Sequence, residues 1–361
     1  MITFSRFSFA SLGMGPQETC VHKLPAALVV AWALTSANVQ ACSFEQPPQA
    51  RAESCNRQLA RSINFGNMLD HDREGLVGPV LRDEFVRLTA QAGFSAIRLP
   101  IRWEARSDHL PAYAIDPALF ERVDRVVTLA QAHGLAVILD MHHYDSMMAQ
   151  PETELPRFLA VWKQVAEHYR DAPATVMFEV LNEPHRALTQ PVWNRMLAAV
   201  LPVIRTSNPQ RTLIVGGSEW NGRAALATLA LPKDDRNLIA TFHYYEPMDV
   251  THQGAEWVNG ASAWLGTTWH GTQAETQHLG EAFDGVAAWA RREQRPVFLG
   301  EFGVYSRADE ATRLACTKAV REQAEARGFS WGYWELASGF GVLEPRSLQW
   351  RLPLLRSLLP K

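Results

Sequence analysis

The chain has 361 residues, 47% of them apolar and 20% charged, a balance that supports a large buried core and excludes a disordered protein. Its 35 basic and 38 acidic side chains leave a formal charge of −3, so no net field draws it to nucleic acid or to an anionic membrane. Twelve tryptophans are the unusual count, and ring faces in that number suit a surface that stacks on flat, weakly charged ligands.

Leu24–Leu34 (LPAALVVAWAL) is an apolar run that follows Lys23 and precedes TSANVQA. It is shorter than the roughly 20 residues of a membrane span and has the length of a signal-peptide core. Val39 and Ala41 supply small residues at −3 and −1 for cleavage before Cys42. Residues 1–41 are therefore expected to be a signal peptide, with a secreted or periplasmic product. The same residues form a poor lipobox, and lipid on Cys42 is the alternative. Cys42, Cys55 and Cys316 then remain, and three thiols have no unique pairing. Cys316 lies in a helical pattern and reads as a small core residue. No Cys/His spacing suggests zinc. Residues 42–61 are polar and contain proline, a leader or linker ahead of a single domain over 62–361.

From Ser62 onward, short β-like runs alternate with amphipathic stretches. Strands are expected near Ile63 (INFGN), Ala96 (AIRLPI), Ala136 (AVILDMHH), Val176 (VMFEVLNEP), Thr212 (TLIVGGSEW), Leu238 (LIATFHYYEP), Pro296 (PVFLGEFG) and Ser330 (SWGYWELA). Helical patterns between them include 117–133, 156–170, 192–206, 282–292 and 310–327, and Gly93, Gly134 and Gly328 stand where helices should stop. Eight such units read as α/β, a single (β/α)8 TIM barrel, because parallel strands need crossover helices. A doubly wound open sheet is the rival, and no GxGxxG or Walker motif supports it. The longest insertion falls between strand six and helix six.

In such a barrel, chemistry collects at the C-terminal ends of the strands. Those ends carry Arg98, His142 and His143, Asn182 and Glu183, His243 and Tyr245, Glu301, and Trp334. A lone strand-end carboxylate is usually solvated or ion-paired; polar groups from six strands at one rim are not explained by stability. Glu183, in Asn182-Glu183-Pro184, and Glu301, in Gly300-Glu301-Phe302-Gly303, end strands on opposite walls and can face each other across the mouth. Two facing carboxyls are what glycoside hydrolysis requires, and their separation, which sequence does not measure, sets the stereochemistry. Glu179 points inward like Glu183 and reads as the buried partner of a cation, Arg98 being the candidate.

The runs INFGNMLD, IRLPIRW, DMHHY, EVLNEPH, FHYYEP, THQGAEW, LGEFG and SWGYWELASGFGV resemble glycoside hydrolase family five, the cellulase family of clan A, from Ile63 to about Leu358. FHYYEPMDVTHQGAEW and ARGFSWGYWELASGFGV look most like thermophilic bacterial endo-β-1,4-glucanases that also accept mannan. The resemblance implies Glu183 as acid/base and Glu301 as nucleophile of a retaining enzyme. Physical reasoning adds that Glu183 should be protonated through burial, and that Arg98 and Tyr245 should keep Glu301 ionised. Asn182 would bind the sugar 2-hydroxyl, His142 and His243 would orient the carboxyls, His143 would reach hydroxyls, and Trp334 would offer a sugar face. The likeness further assigns Asn67, Asp70, His252 and Trp257 to substrate subsites; Asp70 stands where relatives more often carry Glu. Trp220, Trp264 and Trp269 are weaker candidates, about half expected to be packing residues.

The expected reaction is internal cleavage of β-1,4-glucan, with mannan or both as the alternative. No cofactor or metal is implied, the partner is a β-linked polysaccharide or oligosaccharide, and a monomer without a membrane span is expected. A metal cluster of Asp140, His142 and His143 is disfavoured because adjacent strand residues point to opposite faces. A carbohydrate-binding pseudoenzyme would show loss of a carboxylate, and both are present.

Overall fold

A computed structural model describes residues 41–110 and 112–360; residues 1–40, most of the expected signal peptide, lie outside it. Eight strands occur where the β-like runs stand: β1 (Arg61–Asn64), β2 (Ala96–Ile101), β3 (Ala136–Met141), β4 (Val176–Glu179), β5 (Leu213–Gly216), β6 (Leu238–His243), β7 (Val297–Phe302) and β8 (Ser330–Tyr333). They pair in parallel and in sequence order, and β1 closes on β8 through Ser62↔Gly332, giving one (β/α)8 barrel. Helices Asp83–Ala92, Pro117–Ala132, Pro151–His168, Gln190–Ser207, Gln273–Glu293, Glu310–Ala326 and Leu352–Leu358 surround it. The β5–β6 connection holds no long helix, just a four-residue turn over Ser218–Asn221 and a short 3-10 turn over Arg223–Thr228.

Side-chain parity sorts the strands. Ile97, Leu99 and Ile101 of β2, Val137 and Leu139 of β3, and Leu238 and Phe242 of β6 face the helices and form the outer core. The intervening residues face the barrel axis. Near the strand starts they are apolar and small or medium, Ala96, Ala136, Ile138, Met177, Ile214, Ile239 and Phe298, in one cluster with Ala52, Cys55 and Leu59.

That cluster corrects the reading of residues 42–61 as a leader or linker. Pro48–Gln58 is a helix that closes the bottom of the barrel. Its buried Arg51 donates to the carbonyls of Ser43, Phe44 and Gln210, and its Asn56 Oδ1 accepts from Ser330 Oγ at 2.6 Å. A disulfide joins Cys42 to Cys55 across 13 positions, while Cys316 is buried and free. Closing a loop of that size stabilises the fold by about 3 kcal/mol in the chain-entropy account. No helix among the described residues is long and apolar enough to cross a membrane.

Candidate active site

Parity that buries alanines at the strand starts brings ionisable groups inward at the strand ends. Arg98 lies two residues beyond Ala96 on β2, and Asp140 two beyond Ile138 on β3. Arg98 is fully buried and acts as a hub. Its Nε and Nη2 donate to the two oxygens of Glu179 at 2.7 and 2.9 Å, the bidentate pairing that a planar guanidinium fits. Its Nη1 donates to Glu301 Oε1 at 2.7 Å and Asn64 Oδ1 at 2.9 Å, and its Nη2 to Asn182 Oδ1 at 2.8 Å. Asp140 Oδ2 completes the ring at 3.1 Å. Burial works against the charge of Arg98, but the Asp140 and Glu179 carboxylates outweigh it and hold the group protonated well beyond its ordinary range.

Strict alternation along β7 would turn Glu301 outward, since Leu299 faces the helices and Phe298 the axis. The register instead slips: Phe242 pairs with Leu299, and the next residue, His243, pairs with Glu301. The extra residue is Gly300, a β-bulge that re-aims the following side chain. A Cβ on Gly300 would lie 2.7 Å from Thr241 Oγ1 and 2.9 Å from His243 Nε2, so no side chain fits there. Glu301 therefore points to the axis, where Tyr245 donates to its Oε2 at 3.0 Å.

Asn182 and Glu183 follow β4. Asn182 must present its oxygen to Arg98, which has no acceptor, and this leaves Nδ2 to donate to a ligand. Glu183 takes the left-handed conformation (φ 47°), a cost of about 1–3 kcal/mol that recurs at functional positions. His185 Nδ1 holds the Glu183 carbonyl at 2.7 Å. His243 Nδ1 sits 2.7 Å from Glu183 Oε1 and 3.7 Å from Glu301 Oε2. Oxygens of the two glutamates lie no more than 4.8 Å apart.

Burial pushes both carboxyls up to about 7. Two acids this close share their protons as a pair, and the donors decide which one ionises first. Glu301 accepts from a buried cation and a phenol, whereas the one side-chain partner of Glu183 among the described residues is His243. Burial moves His243 down to about 4, so it is neutral near pH 7 and gives Glu183 no full positive charge. The donor asymmetry favours ionisation of Glu301 ahead of Glu183.

The cleft above this pair has a volume of about 1290 Å³. Asn67, His142, His143, His252, Trp257 and Trp334 line it. His142 is fixed by Asp140 at 2.6 Å and stacks on Trp334 with ring centroids 5.5 Å apart. Trp220 also lines the cleft; it and Trp257 are 52% and 60% exposed, and one face of Trp220 is stacked on His185 with ring centroids 4.9 Å apart. Trp269 is buried packing, and Trp264 packs beside Ala255, Ala261 and Phe340.

Asp70 departs from expectation. It has no exposed surface, and its Oδ2 accepts from the Asn67 amide at 2.9 Å, so it braces the turn beneath the cleft rather than meeting a sugar. Three supporting residues were missed. Asn64 bridges Arg98 to the carbonyls of Gly300 and Tyr333, and as the last inward residue of INFGN it was open to inference. Asn221 Nδ2 lies 3.4 Å from His243 Nε2, and the carboxylate of Glu335 accepts the amides of Ala337, Ser338 and Phe340 behind Trp334. Nothing in the local sequence pattern marks those two.

Residues 64–339 match the cellulase (glycosyl hydrolase family 5) profile. The chain belongs to that family. It is 32% identical over 279 residues to endoglucanase H of Acetivibrio thermocellus, an alignment spanning 77% of this chain and 30% of that protein. Over the first three curated relatives it spans 30%, 39% and 51% of their lengths. Among solved structures, Thermotoga maritima Cel5A in complex with cellobiose is 44% identical and covers 85% of this chain and all of its own, with a TM-score of 0.84. The same figures hold for that protein in complex with mannotriose.

Proposed function

We propose that this family 5 enzyme cleaves β-1,4-glucan internally by double displacement, with retention of anomeric configuration. The observation that carries this reading is the gap of no more than 4.8 Å between oxygens of Glu183 and Glu301. Carboxyls about 5–5.5 Å apart form a covalent intermediate, whereas inversion needs about 6.5–9.5 Å to admit water. Glu301 attacks the anomeric carbon as Glu183 passes its proton to the departing glycosidic oxygen. The glycosyl–Glu301 ester carries no charge, so the proton affinity of Glu183 falls and it takes a proton from the incoming water. Water then displaces Glu301, and the product keeps the β configuration. Asn182 Nδ2 is placed for the 2-hydroxyl, a contact that strengthens in the oxocarbenium-like transition state.

Trp220, Trp257 and Trp334 along an open cleft suit successive sugar rings. A second reading, mannan cleavage at the same site, is supported by the capture of both cellobiose and mannotriose by the 44%-identical Thermotoga maritima protein. Export to an oxidising compartment, secreted or periplasmic, is supported by the Cys42–Cys55 bond, which also occupies the sulfur a lipid would need. The test is proton NMR and mass spectrometry of products from carboxymethylcellulose, mixed-linkage glucan and galactomannan. Internal glucan cleavage with β-anomer released first is expected; α-anomer released first would refute retention, and turnover of mannan alone would replace the glucan assignment.

A further inference from the structure

Beside the paired glutamates, the cleft holds a second convergence of ligating groups that takes no part in the proton transfers or in the attack on the anomeric carbon. Asp70, His71 and His143 each bring one potential ligand atom, and the three atoms lie no more than 4.8 Å apart. His71 and His143 both line the cleft, with ring centroids 5.5 Å apart. His71 Nε2 is 3.3 Å from Asn67 Oδ1, a contact that steadies the ring. The independent observation concerns Asp70. One of its oxygens is bonded to the Asn67 amide, but the other, Oδ1, is buried with no hydrogen-bond partner. His142 does not supply the missing donor: its Nε2 is 4.0 Å from the bonded oxygen, Oδ2, and its Nδ1 is held by Asp140 at 2.6 Å. A buried carboxylate oxygen without a donor is costly unless something positive meets it.

We propose that Asp70, His71 and His143 form a site for a borderline transition-metal cation of the zinc class, and that its occupancy blocks the cleft. Two imidazoles and one carboxylate are the donor set of open four-coordinate zinc sites, with water at the fourth position. Tetrahedral ligands at zinc sit about 3.4 Å from one another, so the side chains close by a little over an ångström on binding. His71 belongs to a surface turn and supplies that movement. The cation replaces the missing donor at Asp70 and stands next to Asn67 and His143, where a sugar would lie. Metal uptake by these three residues is independent of the reaction assigned above; only the competition with glucan rests on it.

The test uses the full chain stripped of metal by chelator. Titration with Co²⁺ alone, followed by visible d–d absorption, and with Zn²⁺ alone, followed by calorimetry, is expected to show one site per chain of low symmetry. His71→Ala should weaken binding by about tenfold or more while circular dichroism shows the fold retained, and His143→Asn should act likewise. Glu183→Gln should bind as the wild type does, which separates this site from the Glu183, His243 and Glu301 group. Undiminished uptake by His71→Ala, or uptake lost on Glu183→Gln alone, would overturn the proposal, as would no uptake by the wild type. Zinc should raise the apparent KM for soluble glucan in the wild type and less so in His71→Ala. If uptake follows the variants but no glucan is ever cleaved, the metal site stands and the reaction assignment fails.

Discussion

At the bottom of the barrel, Ala96, Ala136, Met177 and Ile214 pack against a capping helix held by a disulfide, and the polar groups of that helix find carbonyl partners. At the top, the same strands end in one buried guanidinium serving Asp140, Glu179 and Glu301. Asp70 Oδ1, Asp140 Oδ1, Asn221 Oδ1 and Thr241 Oγ1 are buried there without partners. The contrast teaches a division of labour along one axis: the lower end holds the fold together, and the upper end carries electrostatic cost in exchange for pKa values set for proton transfer.

Changes at each end should therefore be separable. Glu301→Gln should lower kcat on soluble glucan by roughly four orders of magnitude while the melting temperature holds or rises; a loss under tenfold would remove its role as nucleophile. Gly300→Ala should cost about a hundredfold in kcat/KM, because a Cβ displaces His243 and Glu301 from their geometry. Steady-state kinetics beside a crystal structure of that variant would check it, and an unshifted Glu301 with full activity would sink the bulge argument.

The pH profile sharpens the comparison further. As the proposed acid, Glu183 works while protonated, and burial raises it to about 7, so kcat/KM should fall as pH rises above that value. At low pH the profile should fall again as Glu301 gains a proton. With an activated aryl cellobioside, which needs no acid, Glu183→Ala should lose the basic limb and form a β-glycosyl azide when azide is added. A basic limb that survives in that variant would point to another acid.

The smallest kinetic effect belongs to the lower end. Cys42→Ala/Cys55→Ala should reduce stability by about 3 kcal/mol and leave kcat within twofold, read by urea unfolding and steady-state assay. A large drop in kcat would mean that the two ends are coupled after all.

The strands were legible because each is a short apolar run closed by glycine, proline or a polar turn; Glu183 and Glu301 stood out at or just past strand ends, and Arg98 as a charge inside an apolar run. The capping helix was not legible. Its sequence, PQARAESCNRQ, has no apolar face of the usual kind, since buried Arg51, Ser54 and Asn56 make it fit through tertiary hydrogen bonds. The partner of Cys55 was hidden for the same reason. Asp70 was misplaced because a likeness in sequence marks which rim a residue joins but not its depth below it. The bulge at Gly300 was invisible to a period-two reading, although it is what aims Glu301.

The disulfide has a consequence for how the enzyme can be mounted. Cys42 is tied to the floor of the barrel, on the face away from the cleft. Anything joined ahead of it, whether an affinity tag, a binding module or a solid support, leaves from that floor. An immobilised preparation attached through this end should present its cleft outward to long, slowly diffusing chains. The attachment point would remain anchored to the barrel even while the linker before it is pulled.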